Sequence, residues 1–158
     1  GFAVDQIARY LDRVGVHHYL VEHGGESRAR GHRPGGRVWR VGIEQPDTDA
    51  GLAMVVVLAN QASGSSGDYR KFFERDGVRY SHHIDPRTGA PVTHALASVT
   101  VIAADAQQAD ATAAALSILG PEAGLAYAKA RGIAALFLLR TPDGFTQVKT
   151  PTFPAARP

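Results

Sequence analysis

The sequence predicts an α+β fold, with a largely antiparallel sheet packed against helices. Strand-like segments come in clusters and helical segments come in a pair, without the regular βαβ alternation of a parallel sheet. Gly-Gly pairs and a Pro-Asp-Gly triplet separate neighbouring strand-like segments, as in hairpins. Of the 158 residues, 44% are hydrophobic and 20% are charged, which is typical of a folded domain. We expect residues 1–150 to form a single domain portion and the Pro-rich segment 151–158 to be a frayed tail.

The N-terminal half begins with a helix. Apolar residues recur every three to four positions from Val4 to Val14, which predicts an amphipathic helix over 3–14 that stops at Gly15. Strands are predicted next at 18–22, 28–31, 37–44 and 52–58, with turns at Gly24-Gly25 and Gly35-Gly36. The run 52–58 (LAMVVVL) is continuously apolar and predicts a buried strand, whereas SGSSG at 63–67 predicts a break.

The C-terminal half has clearer boundaries. After a polar stretch at 68–79, the pattern predicts a strand at 80–84, a turn at 85–89 and a strand at 97–103. Asp105 is placed to cap a helix over 106–119 that ends at Gly120-Pro121. A second helix over 122–131 and a hairpin of strands 134–139 and 145–148 follow.

Charge and composition exclude several classes of protein. Lys plus Arg number 17 against 15 Asp plus Glu, and the basic residues are scattered, so nucleic-acid binding is not implied. The absence of cysteine excludes disulfides, thiolate zinc sites and cysteine nucleophiles. No uninterrupted apolar run reaches the roughly 18 residues of a membrane span. Because the sequence starts with Gly1 and enters a helical pattern at once, we interpret it as a fragment or a processed product.

The densest polar cluster is YSHHIDPRTG at 80–89. If residues 80–84 form a strand, His82 and Ile84 share one face while His83 lies on the other, so at most one histidine is expected to face a cleft. Asp85 precedes Pro86 and begins a turn. The residues alone leave two readings open: a catalytic histidine, or surface histidines beside a turn that Asp85 caps.

Asp110 is a lone carboxylate inside an Ala-rich helical segment. A carboxylate there can bind a hard cation such as Mg²⁺, or it can lie on a solvated helix face. Thr112 is about 200° away around the helix, and neither Ala113 nor Ala114 carries a side-chain oxygen.

Two glycine-containing segments are weaker signals. Gly24-Gly25-Glu26 and a predicted small-residue loop at 65–69 each allow a backbone to approach a ligand or a phosphate group. Neither matches a P-loop or a dinucleotide-binding fingerprint.

Taken in order, seven stretches of the chain resemble the ApbE family of flavin transferases, historically called thiamine biosynthesis lipoproteins. The stretches are GFAVD (1–5), GGE (24–26), WRVGIEQP (39–46), SGDY (66–69), YSHHIDPRTGAPV (80–92), SVTVIAADAQQADA (98–111) and ALSILGPEAGLAYA (115–128). The resemblance covers the C-terminal part of the family's length and implies an incomplete ApbE-like fold.

The resemblance implies Mg²⁺-dependent transfer of FMN from FAD to a threonine hydroxyl of an acceptor protein, with release of AMP. Alternatives are an FAD pyrophosphatase that gives free FMN and AMP, and an FAD-binding module without turnover. Family acceptors are flavoprotein subunits of membrane redox complexes. The implied location is the periplasmic side of a bacterial cell envelope, with lipid anchoring through residues upstream of Gly1; a cytoplasmic location is the alternative.

Site roles follow from the same resemblance. His82 matches the histidine of the family's S-H-x-I-D-P motif and is the candidate base, Ile84 matches the isoleucine that lies against FAD, and Asp110 matches the metal-binding aspartate. The chain departs from the family at Ala114, where relatives commonly carry a threonine as a further metal ligand. The family's remaining metal and flavin contacts are expected upstream of Gly1.

Overall fold

The secondary structure comes from a computed structural model, which describes residues 1–46, 51–69 and 72–154. Its helices are α1 (Phe2–Arg13), α2 (Ala106–Leu119) and α3 (Pro121–Ala130). Its strands are β1 (Tyr19–His23), β2 (Glu26–Arg30), β3 (Trp39–Glu44), β4 (Leu52–Leu58), β5 (Ala62–Gly67), β6 (Phe72–Arg75), β7 (Val78–Ser81), β8 (Ile84–Asp85), β9 (Ala90–Pro91), β10 (Leu96–Ala103), β11 (Ala134–Thr141) and β12 (Gly144–Lys149). All three predicted helices are confirmed, with boundaries shifted by at most one residue.

A six-stranded sheet in the order β1-β2-β5-β10-β11-β12 organises the described residues. Every strand pairing that the structure describes is antiparallel, within this sheet and in the two-stranded pairs β3–β4, β6–β7 and β8–β9. The chain is therefore α+β with an antiparallel sheet, as predicted.

Both faces of the central sheet are covered. Successive residues of a strand point to opposite faces, and in β11 Phe137 packs under α2 and α3 while Leu136 and Leu138 pack against the β3–β4 ribbon. The β3–β4 ribbon covers the sheet with one side only. Its strand β4 therefore alternates between buried and partly exposed residues instead of being buried throughout, as its apolar run had predicted.

The segment SGSSG is a strand and not a break, so the prediction for 63–67 was wrong. It forms most of β5 and pairs with β10 at the centre of the sheet. A Cβ atom on Gly64 would lie 2.7 Å from the backbone N of Asp110, so α2 packs directly on this strand. Small residues are required by this close approach, and their turn-like composition hides the strand.

The region around the histidines also differs from its prediction. The polar stretch 68–79 contains β6 and the start of β7. The predicted strand 80–84 is interrupted: β7 ends at Ser81, and the two-residue β8 begins at Ile84. His82 and His83 lie in the interruption. The turn after Asp85 is confirmed, because the Gly89 N–H donates to the Asp85 carbonyl at 2.8 Å.

The C-terminal segment is partly fixed. Phe153 is only 6% exposed and packs in the core beneath the β3–β4 ribbon. The prediction that 151–158 is frayed is therefore wrong for Phe153. Residues 155–158 lie outside the described residues. Among the residues that are described, no helix combines the length and the apolar character that a bilayer crossing requires.

Candidate active site

A cleft of about 700 Å³ lies beside the edge of α2, at the point where the β1–β2 turn, β3, β5 and the β7–β8 interruption meet. The ionisable side chains that line it include those of His82 and Asp110, which lie far apart in the sequence. The other lining residues are Leu20, Glu22, Gly24, Gly25, Glu26, Ser27, Arg40, Val41, Gly42, Glu44, Leu52, Ser65, Ser66, Gly67 and Tyr69. The fold thus brings together the predicted base, the predicted metal ligand and both predicted small-residue segments.

Asp110 is positioned by the first turn of α2, which two carboxylates anchor. The Asp105 carboxylate accepts from the Gln108 N–H at 2.8 Å, as its predicted capping role requires. Asp5, from α1, accepts from the N–H groups of Ala106 and Gln107 at 3.0 and 2.9 Å. The first turn of α2 is therefore satisfied by two carboxylates, which fixes where Asp110 lies one turn later.

Asp5 is itself a buried charge with a partner. Its side chain is 1% exposed and forms an ion pair with the Arg28 guanidinium of β2. Burial raises the pKa of Asp5, but the hydrogen bonds from Gln107 and Ala106 and the ion pair with Arg28 outweigh burial and hold the pKa below its ordinary value. Asp5 consequently ties α1, β2 and α2 together behind the cleft.

Two carboxylates converge at the end of the cleft. The backbone nitrogen of Gly1 lies 2.7 Å from Asp110 Oδ2 and 3.2 Å from Glu26 Oε2. Asp110 and Glu26 thus direct carboxylate oxygens at the same point.

His82 is exposed and lines the same cleft. Its ring centroid lies 4.0 Å from that of His83, with the two planes tilted by 36°. The prediction that the two histidines lie on opposite faces is wrong, because the strand is interrupted at these two residues and the alternation of a continuous strand does not apply.

His83 lies behind His82 and is half-buried. Its Nε2 lies 2.9 Å from Ser66 Oγ, and its Nδ1 lies 3.3 Å from Ser81 Oγ. Burial lowers the pKa of His83, and the neighbouring His82 lowers it further, against an opposing effect of Asp68. A neutral imidazole is therefore favoured at this position near pH 7.

Ile84 and the following turn lie outside the cleft lining. Ile84 is 48% exposed in β8, and its predicted contact with FAD stays a prediction. Asp85 forms an ion pair with Arg87 at 2.7 Å, and hydrogen bonds from Arg87 hold the pKa of Asp85 below its ordinary value. The turn is therefore built as predicted.

The cleft carries more negative than positive side chains. One guanidinium, that of Arg40, faces four carboxylates, those of Glu22, Glu26, Glu44 and Asp110. A diphosphate ligand would be repelled by this lining unless a cation accompanied it. No group of three or more His, Asp or Glu side chains forms a complete metal cage within the described ranges. Mg²⁺ commonly binds through one or two carboxylates and substrate phosphates, and the convergence of Asp110 and Glu26 fits that arrangement.

Thr112 does not substitute for the missing threonine at Ala114. It lines a second cavity on another side of α2, with Tyr127 and Arg131. Thr112 and Asp110 thus line different cavities, in agreement with their separation of about 200° around the helix.

Sequence reasoning missed the roles of Asp5, Gly64 and the Ser66–His83 pair. Asp5 had a detectable signal, since it is a charged residue directly beside Val4 on the buried stripe of α1. Gly64 and Ser66 had none, because a strand made of Gly and Ser resembles a loop in composition.

A comparison with protein-family models identifies the family of this chain. The model of the ApbE family matches residues 1–137. The chain belongs to the ApbE family.

Individual ApbE proteins are similar to this chain over almost its whole length. The FAD:protein FMN transferases of Vibrio cholerae and Haemophilus influenzae are 42% and 41% identical to it, over 97% of this chain and 46% and 45% of their own lengths. The crystal structure of the Pseudomonas stutzeri flavinyl transferase ApbE, in its apo form, superposes with a TM-score of 0.85 at 46% identity, over 96% of this chain and 47% of that one. The chain thus spans about half the length of the ApbE relatives it matches.

Proposed function

We propose that this protein is a Mg²⁺-dependent flavin transferase, which moves FMN from FAD to a threonine hydroxyl of an acceptor flavoprotein and releases AMP. The observation that carries the proposal is the shared cleft. His82 and Asp110 are 28 positions apart in the sequence, yet they line one cavity. The names of the ApbE relatives, FAD:protein FMN transferase, support the same reaction.

His82 is suited to activate the acceptor. A neutral imidazole can take the proton of a threonine hydroxyl while the oxygen attacks the phosphorus of the FMN half of FAD. The bond from that phosphorus to the AMP oxygen then breaks, and AMP leaves. Exposure of His82 lets the hydroxyl of another protein reach it.

Asp110 and Glu26 are suited to hold the metal ion. When bound, a divalent cation would neutralise charge on the diphosphate oxygens. Asp5, Asp105 and Gly64 fix the start and the seat of α2, so Asp110 keeps its position without help from the substrate.

The test is a transfer assay with the full polypeptide, FAD, Mg²⁺ and a threonine-containing flavoprotein acceptor. We expect covalent flavin fluorescence on the acceptor band and one AMP released for each FMN bound. An unlabelled acceptor with no AMP would contradict the proposal.

Two alternatives are separated by the same assay. Exposure of His82 also admits water, which favours FAD pyrophosphatase activity; that reaction gives free FMN and AMP with no labelled acceptor. Ala114 in place of a threonine favours a binding module without turnover; such a module would bind FAD and release no AMP. The acceptor's membership in a membrane redox complex and the periplasmic location stay predictions from the family resemblance.

A further inference from the structure

A hydroxyl–imidazole pair borders the cleft, with its hydroxyl in the cleft lining and its imidazole behind it. Ser66 lines the cavity, and its Oγ lies 2.9 Å from His83 Nε2. A third group is in place, because Ser81 Oγ lies 3.3 Å from His83 Nδ1 and accepts from the His83 backbone N–H at 3.1 Å. A hydroxyl within reach of a base that is oriented by a third group is the arrangement of an activated nucleophile.

Ser66 lies on the same side of the sheet as the proposed metal site. Residues two apart in a strand share a face, and Gly64, two positions before Ser66, packs against the backbone of Asp110. Ser65 also lines the cleft, but its Oγ lies 2.8 Å from Thr100 Oγ1 of β10 and not beside an imidazole. Of these adjacent serines, Ser66 is therefore the one that combines a base with the Asp110 side of the cleft.

We propose that Ser66 is an internal flavin acceptor, whose hydroxyl takes FMN from FAD when no acceptor protein is present. This inference rests on the proposed function, since it uses the same donor and the same leaving group. It adds a second acceptor, Ser66, in the cleft lining and a second base, His83, behind that lining.

The step balances without a further reactant. Ser66 Oγ forms a bond to the phosphorus of the FMN half, the bond from that phosphorus to the AMP oxygen breaks, and AMP leaves with both bonding electrons. The Ser66 proton passes to His83 Nε2, which is free to accept it in the tautomer that carries its hydrogen on Nδ1 and donates to Ser81 Oγ. The product is a chain with FMN esterified to Ser66.

The surroundings of His83 suit a base. Burial and the neighbouring His82 and His94 lower the pKa of His83, against the opposing Asp68, so the neutral ring is favoured near pH 7. The Ser66 backbone is also held, because Ser117 Oγ of α2 donates to its carbonyl at 3.3 Å.

The experiment incubates the full polypeptide with FAD and Mg²⁺ and no acceptor, and then denatures it to remove bound flavin. Intact mass should rise by one esterified FMN, and fragmentation of the tryptic peptide 41–70 should place the group on Ser66. We expect Ser66→Ala to lose the label and Ser65→Ala, which removes the neighbouring cleft hydroxyl that lies beside Thr100 instead of an imidazole, to keep it. His83→Phe keeps a ring and removes the base, so labelling should slow by about 10²-fold or more.

A parallel reaction with an acceptor separates the two proposals. His82→Ala should lose transfer to the acceptor and keep the label on Ser66. A labelled acceptor with an unlabelled Ser66, or a label that survives Ser66→Ala, would overturn the internal acceptor and leave the proposed function standing. If neither the acceptor nor Ser66 is labelled and no AMP appears, both proposals fall.

Discussion

The two walls of the cleft are held in different ways. The Asp110 wall consists of α2 seated on the central strand β5, with its first turn tied to a carboxylate that is 1% exposed. The His82 wall consists of an interruption between short ribbons, flanked by an exposed ion pair and by Phe73, which is 54% exposed. The buried wall fixes the group proposed to meet a cation and phosphates, whereas the exposed wall presents the base where another protein can reach it.

The largest effect is expected for a substitution of His82 in the exposed wall. It should change the activity and leave the stability unchanged. His82→Ala should lower the rate of FMN transfer by about 10²–10⁴-fold, because it removes the base. Since His82 is exposed, the free energy of unfolding should change by no more than about 0.5 kcal/mol. Steady-state transfer rates and urea unfolding on the same preparations check both parts; an equal loss of rate and of FAD affinity would indicate a binding role instead.

At the buried wall the largest effect is expected on stability. Asp5→Asn should lower the free energy of unfolding by about 3–5 kcal/mol, because Arg28 loses its buried counter-ion. The N–H groups of Ala106 and Gln107 also lose a charged acceptor. Urea unfolding followed by circular dichroism measures this loss; a change below about 1 kcal/mol would mean that Asp5 does not anchor α2.

Acid sensitivity gives a second readout of the same anchor. The pKa of Asp5 is lower in the folded chain than its ordinary value of about 3.9, so its stabilisation is complete above that pH and is lost as the pH falls through the folded pKa. Unfolding free energies measured from pH 5 down to pH 2 should fall less steeply in Asp5→Asn than in the wild type. Parallel curves would contradict the assignment.

A smaller effect is expected where α2 rests on the sheet. Gly64→Ala places a Cβ atom 2.7 Å from the backbone N of Asp110 and 2.9 Å from the Ala109 carbonyl carbon, so the helix must shift. We expect a loss of about 1–3 kcal/mol in unfolding free energy. The Mg²⁺ concentration for half-maximal transfer should rise as well, and an unchanged Mg²⁺ requirement would show that Asp110 keeps its place.

The smallest effect is expected at the surface turn of the His82 wall. Arg87→Ala removes the partner of Asp85, but Arg87 is exposed and its ion pair is screened by solvent. The unfolding midpoint should stay at the wild-type value, in contrast to Asp5→Asn. A large shift in calorimetry would show that the two walls do not differ as described.

The same contrast explains how much the sequence could predict. The helix α2 was predicted to the residue, since Asp105 and the Gly120-Pro121 pair mark its ends, and His82 and Asp110 were identified through motifs that the family shares. The strand β5 was missed because the packing of α2 requires Gly64 and its small neighbours, which resemble a loop when read locally. The pairing of the two histidine rings was also missed, since the interruption after Ser81 depends on how two hairpins meet and not on local periodicity.

We propose that Asp110 and His82 act on one FAD, the first through Mg²⁺ and the second through the proton. The most direct measurement is a Mg²⁺ titration of acceptor-dependent AMP release in the wild type, Asp110→Ala and His82→Ala. We predict that Asp110→Ala raises the Mg²⁺ concentration for half-maximal rate by at least about tenfold, while His82→Ala lowers the maximal rate and leaves that concentration unchanged. Identical Mg²⁺ midpoints in all three proteins would contradict these separate roles of Asp110 and His82.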